Sequence, residues 1–207
     1  MLGAVLSTRT RDETTAQAFR RLTAVAPTPA ALAGLKTGEI RRLIYPVGFY
    51  RTKARLLKKL AQQLLTHHHG SVPRTRAELL HLPGVGPKVA SIVLSQAFGL
   101  PVVAVDTHVH RLSNRLGLVR TTRPEQTERR LNAIVPEELK AELNPLLVAL
   151  GQTICLPRNP HCPDCPLKNL CPQRRVRAAR DGQKSPGMPA DKPGGKFQNG
   201  PALPICP

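Results

Sequence analysis

Four cysteines, Cys155, Cys162, Cys165 and Cys171, stand within 17 residues, with gaps of six, two and five residues between them. Thiols this crowded cannot form the independent, dispersed disulfides of a secreted scaffold. They gather instead around a metal centre, either zinc or an iron–sulfur cluster. Zinc sites usually come as two short-gap pairs, whereas only Cys162 and Cys165 form one here, so the spacing favours a cluster. Pro157, Pro160, Pro163, Pro166 and Pro172 are interleaved with the cysteines. The result is a stiff loop wrapped around something compact, in an intracellular protein.

The chain ahead of this loop carries helical periodicity. Leu57, Leu60, Ala61 and Leu64 share one face of an amphipathic helix, and Leu139, Leu143, Leu146 and Leu150 repeat the pattern. Capping-box pairs, Thr10 with Glu13, Thr75 with Glu78 and Thr122 with Glu125, precede helical stretches. The run Pro101–Val105 is strand-like but has no partner and reads as an extended connection. The class is all-α. From Asp181 to Pro207, 27 residues hold six Pro and five Gly and little that is apolar, which predicts a flexible tail with Cys206 as a spare thiol. Met1–Leu6 has no capping residue and reads as the middle of a buried helix.

Charge narrows the partner. Lys and Arg total 31 against 13 Asp and Glu, a net charge of +18 over 207 residues. Such an excess points to a polyanion, most often nucleic acid. With 41% hydrophobic residues the chain is not disordered throughout, and no apolar run approaches the roughly 20 residues of a membrane span. No basic amphipathic helix favours a membrane surface. Aromatics are 3% with no Trp, which argues against a platform for stacking single strands.

Leu82-Pro83-Gly84-Val85-Gly86-Pro87-Lys88 joins two helical stretches through a tight turn, with Pro87 suited to the first position of the second helix. Gly84, Val85 and Gly86 can turn backbone N–H groups outward at a helix N-terminus, where phosphate binds. A simple helix–helix connection uses the same residues. Lys88 opens the second helix, where the positive end of the dipole favours a free amine able to attack a sugar C1′. The alternative is one more phosphate-neutralising lysine. In Val105-Asp106-Thr107-His108, Asp106 suits an N-cap. The same fixed carboxylate suits stabilisation of positive charge on a deoxyribose ring, or proton relay. His108 and His110 read as packing residues, and His67–His69 as a solvated helix end.

These features together resemble the endonuclease III family of DNA glycosylase/AP lyases. The hairpin at 82–88, Val-Asp-Thr-His at 105–108 and the six-two-five cysteine spacing occur in family order, with 18 positions from Lys88 to Asp106. The likeness runs from Met1 to Pro172. It implies a six-helix domain with a helix-hairpin-helix over residues 1–100, and a smaller helical domain over 101–175 bearing a [4Fe-4S] cluster. The tail would then be 176–207. It implies Lys88 as nucleophile, Asp106 as catalytic carboxylate and the four cysteines as cluster ligands. The expected partner is double-stranded DNA with a damaged or abasic site, bound by a monomer across the cleft between the domains. The family's N-terminal helix is absent here, which predicts exposed apolar faces around Leu146, Leu147 and Leu150.

Two positions depart from the commonest family pattern. Arg9 stands where many members carry a glutamine that fills the gap left by the extruded base. Phe49 stands where a leucine commonly wedges into the opposite strand. The resemblance implies excision of oxidised pyrimidines through a lysine Schiff base, followed by β-elimination. A monofunctional adenine glycosylase of the same superfamily lacks the hairpin lysine, so Lys88 opposes that reading. A non-catalytic DNA-binding module would need neither Lys88 nor Asp106.

Overall fold

Leu57, Leu60, Ala61 and Leu64 are all buried, as their periodicity predicts. The helix that carries them, Tyr50–His68, is the longest among the described residues and the packing axis of the first core. The computed structural model describes residues 1–176, and no strand occurs among them. In chain order the helices are α1 (Leu2–Ser7), α2 (Asp12–Val25), α3 (Pro29–Gly34), α4 (Thr37–Ile44), α5 (Tyr50–His68), α6 (Arg76–His81), α7 (Pro87–Ile92), α8 (Thr107–Arg115), α9 (Pro124–Ile134) and α10 (Glu137–Thr153). A π turn, Val93–Ala97, extends α7. The tail and Cys206 lie outside the described residues.

Apolar packing forms two clusters. The first draws Leu6, Leu22, Ile40, Leu57, Leu79 and Val89 together, with α5 packed against α1, α3 and α4. The second gathers Val103, Val109, Leu112, Leu131 and Leu147 around α8 and α10. Pro101–Val105 runs between them as extended chain without a strand partner. Asn132 holds it in place by accepting from Val103 N–H at 2.9 Å, and Asn144 donates to Ala104 O at 2.7 Å.

Three charged or hydroxylic side chains bridge the two clusters. Arg76 on α6 donates to Glu128 on α9 at 2.7 Å, and Ser91 on α7 donates to the same oxygen at 2.5 Å. Arg76–Glu128 is the one ion pair among the described residues. Glu128 and Ser91 are buried, so the carboxylate depends on these donors for the solvation it has lost.

Local signals fared unevenly. Thr75 caps α6 by accepting from Glu78 N–H, as expected. The other two capping boxes do not form. Thr10 stands before the cap of α2, which is Arg11, and its hydroxyl serves tertiary contacts instead. At α9 the cap is Arg123, and Gln126, not Glu125, reaches back to the Arg123 and Thr122 N–H groups. On α10 the buried stripe is also displaced from expectation. Leu147 is 5% exposed and belongs to the second core, Leu143 and Leu150 pack against it, and Leu146 is 63% exposed. The patch foreseen around Leu146, Leu147 and Leu150 is therefore not continuous. No helix among the described residues is long and apolar enough to cross a membrane.

Candidate active site

The glycine turn at 82–86 separates α6 from α7 and gives each of its residues a different task. Gly84 has φ +80°, a left-handed conformation that only glycine adopts without strain. Val85 anchors the turn, because its side chain is buried and its N–H donates to Leu82 O at 3.1 Å. Its amide is therefore engaged within the turn. Gly86 is extended and caps α7, with open space where a Cβ would stand. Pro87 occupies the first position of α7 and Lys88 follows it.

Asp106 lies at the start of α8. Its Oδ1 accepts from Val109 N–H at 2.8 Å, so it is the N-cap. Lys88, Asp106, Gly84, Gly86 and Arg9 open onto one cleft of about 1610 Å³, larger than a small-molecule pocket. The structure thus brings together residues from three separate segments of sequence. His108 lines the same cleft and hydrogen-bonds Arg111, and His110 meets Thr127 Oγ1 at 2.6 Å. His67–His69 end α5 without metal-ligating partners.

Arg9 and Phe49 lie side by side at one rim. The Arg9 guanidinium stands 5.5 Å from the centre of the Phe49 ring, within cation–π range. Phe49 is 61% exposed, which excludes the core-packing role open to it from sequence. Both residues have positive φ, 52° and 58°, although neither is glycine. Such conformations cost about 1–3 kcal/mol each and persist where surroundings enforce them.

Lys53 was invisible to sequence reading, where it looks like one more basic residue on a helix. It is 5% exposed. Its Nζ donates to Leu6 O at 2.7 Å, Thr8 O at 2.6 Å and Thr10 Oγ1 at 3.2 Å. Burial, with a smaller contribution from the charge of Lys88, pushes its ammonium down to about 8.

The four cysteines line a second, smaller pocket between α8 and the loop after α10, with Leu112, Leu116, Leu150 and Ile154 as its apolar wall. None of the four is paired in a disulfide among the described residues, and all are half-buried. Burial first, then the neighbouring cysteines, raise the Cys162 thiol above its ordinary value. Two arginines of α8 tie the loop down. Arg115 donates to Leu156 O at 2.7 Å, Pro157 O at 3.0 Å and Cys155 Sγ at 3.3 Å. Arg111 donates to Gly151 O at 3.0 Å and Cys155 O at 2.9 Å. Their spacing of four along one helix face is the signal that a sequence reading could have used.

The family described as HhH-GPD superfamily base excision DNA repair protein matches residues 2–137. Over 177 residues the chain is 46% identical to endonuclease III of Thermotoga maritima, covering 86% of this chain and 83% of that protein. It is 43% identical to endonuclease III-like protein 1 of Mus musculus over 175 residues, 83% of this chain but 58% of the longer mouse protein. Among solved structures it is similar to a trapped endonuclease III–DNA covalent intermediate, an estranged-adenine complex. That match has a TM-score of 0.78 and 38% identity, and covers 83% of this chain and 81% of that one.

Proposed function

The chain belongs to the endonuclease III family of the HhH-GPD superfamily, and from that premise we propose how its own residues perform the family's reaction. The activity is that of a bifunctional DNA glycosylase and AP lyase of base-excision repair, acting on oxidised pyrimidines in duplex DNA. The observation that carries the residue assignment is that Lys88 and Asp106, 18 positions apart, open onto the same cleft beside the glycine turn.

Duplex phosphates meet the basic surface and the Gly84–Gly86 turn, and the damaged nucleotide leaves the stack for the cleft. The cleft runs between a first domain, residues 1–100, and a second, residues 101–175. Lys88 Nζ attacks C1′ of the deoxyribose. The glycosidic C1′–N bond breaks, its electron pair leaves with the base, and the base takes up a proton. Asp106, held by its cap, stabilises the positive charge that develops on the sugar and relays the proton released by the amine. Opening of the sugar ring leaves an iminium between Lys88 and C1′. Loss of a C2′ proton then breaks the C3′–O3′ bond, cutting the strand 3′ of the site. Water releases the lysine. Arg9 occupies the gap left by the extruded base, and Phe49 wedges the opposite strand. The protein acts as a monomer, inside the cell where its DNA substrate is found.

Cys155, Cys162, Cys165 and Cys171 are the residues that would hold a [4Fe-4S] cluster. The chemistry of the donor set supports this: four thiols line one pocket whose other wall is apolar. Arg115, which donates to Cys155 Sγ, would supply part of the positive charge that four crowded thiolates require. When bound, the cluster supplies a structural cross-link, because four thiolates leave no open iron position for chemistry. The test of the whole reading is Lys88→Gln. It is expected to abolish borohydride trapping on a thymine glycol duplex while leaving duplex affinity within about threefold, since one cation among many contributes little. Covalent trapping by that variant would assign the nucleophile elsewhere.

A further inference from the structure

Arg9 and Phe49 are 40 residues apart in sequence, on separate turns, yet one buried ammonium organises both. Lys53 Nζ spends its three N–H groups on three acceptors of the Leu6–Thr10 turn: Leu6 O, Thr8 O and Thr10 Oγ1. Arg9 lies between the last two acceptors, so its backbone is held on either side. Lys53 also belongs to the first turn of α5, whose N-cap is Phe49, and Lys53 N–H donates to Phe49 O at 2.9 Å. A second tie runs through Thr10, whose hydroxyl accepts from Gly48 N–H at 3.1 Å as well as from Lys53. The turns touch so closely that a Cβ on Gly48 would lie 2.3 Å from Arg9 O, so only glycine fits there. The left-handed backbones of Arg9 and Phe49 are the two strained points that this arrangement sustains.

We propose that Lys53 is a positioning residue that couples the Arg9 and Phe49 turns into one rigid wedge, so that gap filling and opposite-strand wedging occur as a single event. The proposal rests on the reading that Arg9 and Phe49 enter the duplex. Lys53 itself meets no DNA, because it is buried and its donors are occupied. It acts through the two side chains at the rim.

A duplex carrying a tetrahydrofuran abasic analogue opposite 2-aminopurine reports the unstacked orphan base by fluorescence. Lys53→Met, in the full chain, is expected to reduce the binding-induced fluorescence rise at least about fivefold, and to slow single-turnover excision of thymine glycol about tenfold, the loss of one to two ordinary contacts. Affinity for undamaged duplex and borohydride trapping on a preformed abasic site should stay within about twofold, since the phosphate contacts and Lys88 are untouched. Lys53→Arg, which keeps a cation and several donors, should restore part of the signal. Lys58→Met, which removes another lysine of α5 bonded to a carbonyl, should change none of these readouts.

A full fluorescence rise in Lys53→Met would overturn the proposal, as would an equal loss of excision and abasic-site trapping, which marks general destabilisation. Should Lys53→Met fail to fold by circular dichroism, Thr10→Val removes the shared hydroxyl and must show the same split. The Arg9→Ala/Phe49→Ala double variant separates the two levels. If it keeps the rise, insertion of these residues is wrong. If it loses the rise while Lys53→Met keeps it, only the coupling through Lys53 is wrong.

Discussion

Asp106 divides its work between two oxygens. Oδ1 is committed to Val109 N–H, and the proposed mechanism assigns Oδ2 to the reacting sugar. The two roles separate by substitution. Asp106→Asn keeps a good N-cap and loses the charge, so the urea midpoint should stay close to the parent's while single-turnover excision falls about 100-fold. Asp106→Ala loses both and should additionally cost about 1 kcal/mol of stability. If Asn and Ala variants were equally slow and equally destabilised, the carboxylate would be only a cap. The local placement of Lys88, Asp106 and the hairpin glycines was legible in the sequence because it depends on neighbours a few positions away: a turn, a helix start, a cap. Lys53 was not. Its burial is created by carbonyls more than 40 positions earlier in the chain, and nothing local distinguishes it from Lys58 or Lys59. Thr10 was misread for a related reason, since a hydroxyl ahead of a helix looks like a cap until a distant lysine and amide claim it.

At the scale of elements, α8 carries the most consequence for its length. One end places Asp106 in the cleft, and the other grips the cysteine loop through Arg111 and Arg115. Its close contact with α10 is set by Gly151, where a Cβ would lie 2.7 Å from His108 Nδ1 and 3.0 Å from Arg111 Nη2. Gly151→Ala is expected to push Arg111 from its carbonyls and destabilise the fold by about 1–3 kcal/mol. Iron analysis should then find about four irons per chain in the parent and fewer in the variant. Unchanged iron content would show that Arg111 adapts. The face of α8 toward α9 predicts a pH effect. His110 is held below its ordinary value, mainly by burial, with Arg175 adding to the effect and Glu125 opposing it. A histidine depressed on folding contributes stability above its unfolded value, about 6.5, and that stability is lost as pH falls through the folded value. The urea midpoint should therefore drop on acidification from pH 7.5 to about 5.5, and drop less in His110→Gln. Equal drops would place the acid sensitivity elsewhere. The misplaced stripe of α10 shows the limit of periodicity. With leucines at 139, 143, 146, 147 and 150, several faces look apolar, and only the position of α8 decides which one is covered.

At the scale of the whole molecule, the formal charge is +18, and one ion pair forms among the described residues. Like charges at this density repel each other in the free protein, and added ions screen them within a Debye length of about 10 Å at 0.1 M. Ionic strength should accordingly move two properties in opposite directions. Raising sodium chloride from about 50 to about 200 mM is expected to raise the melting temperature of the free protein, while duplex affinity falls steeply as counterion release loses its advantage. A scan of melting temperature against salt, beside a binding titration over the same range, checks both, and a melting temperature that falls with salt would show that attraction outweighs repulsion. The excess of positive charge thus makes the duplex a counterion for the fold. In dilute salt, DNA supplies the negative charge that the protein's own surface omits, and the folded state is at its most stable where it is bound.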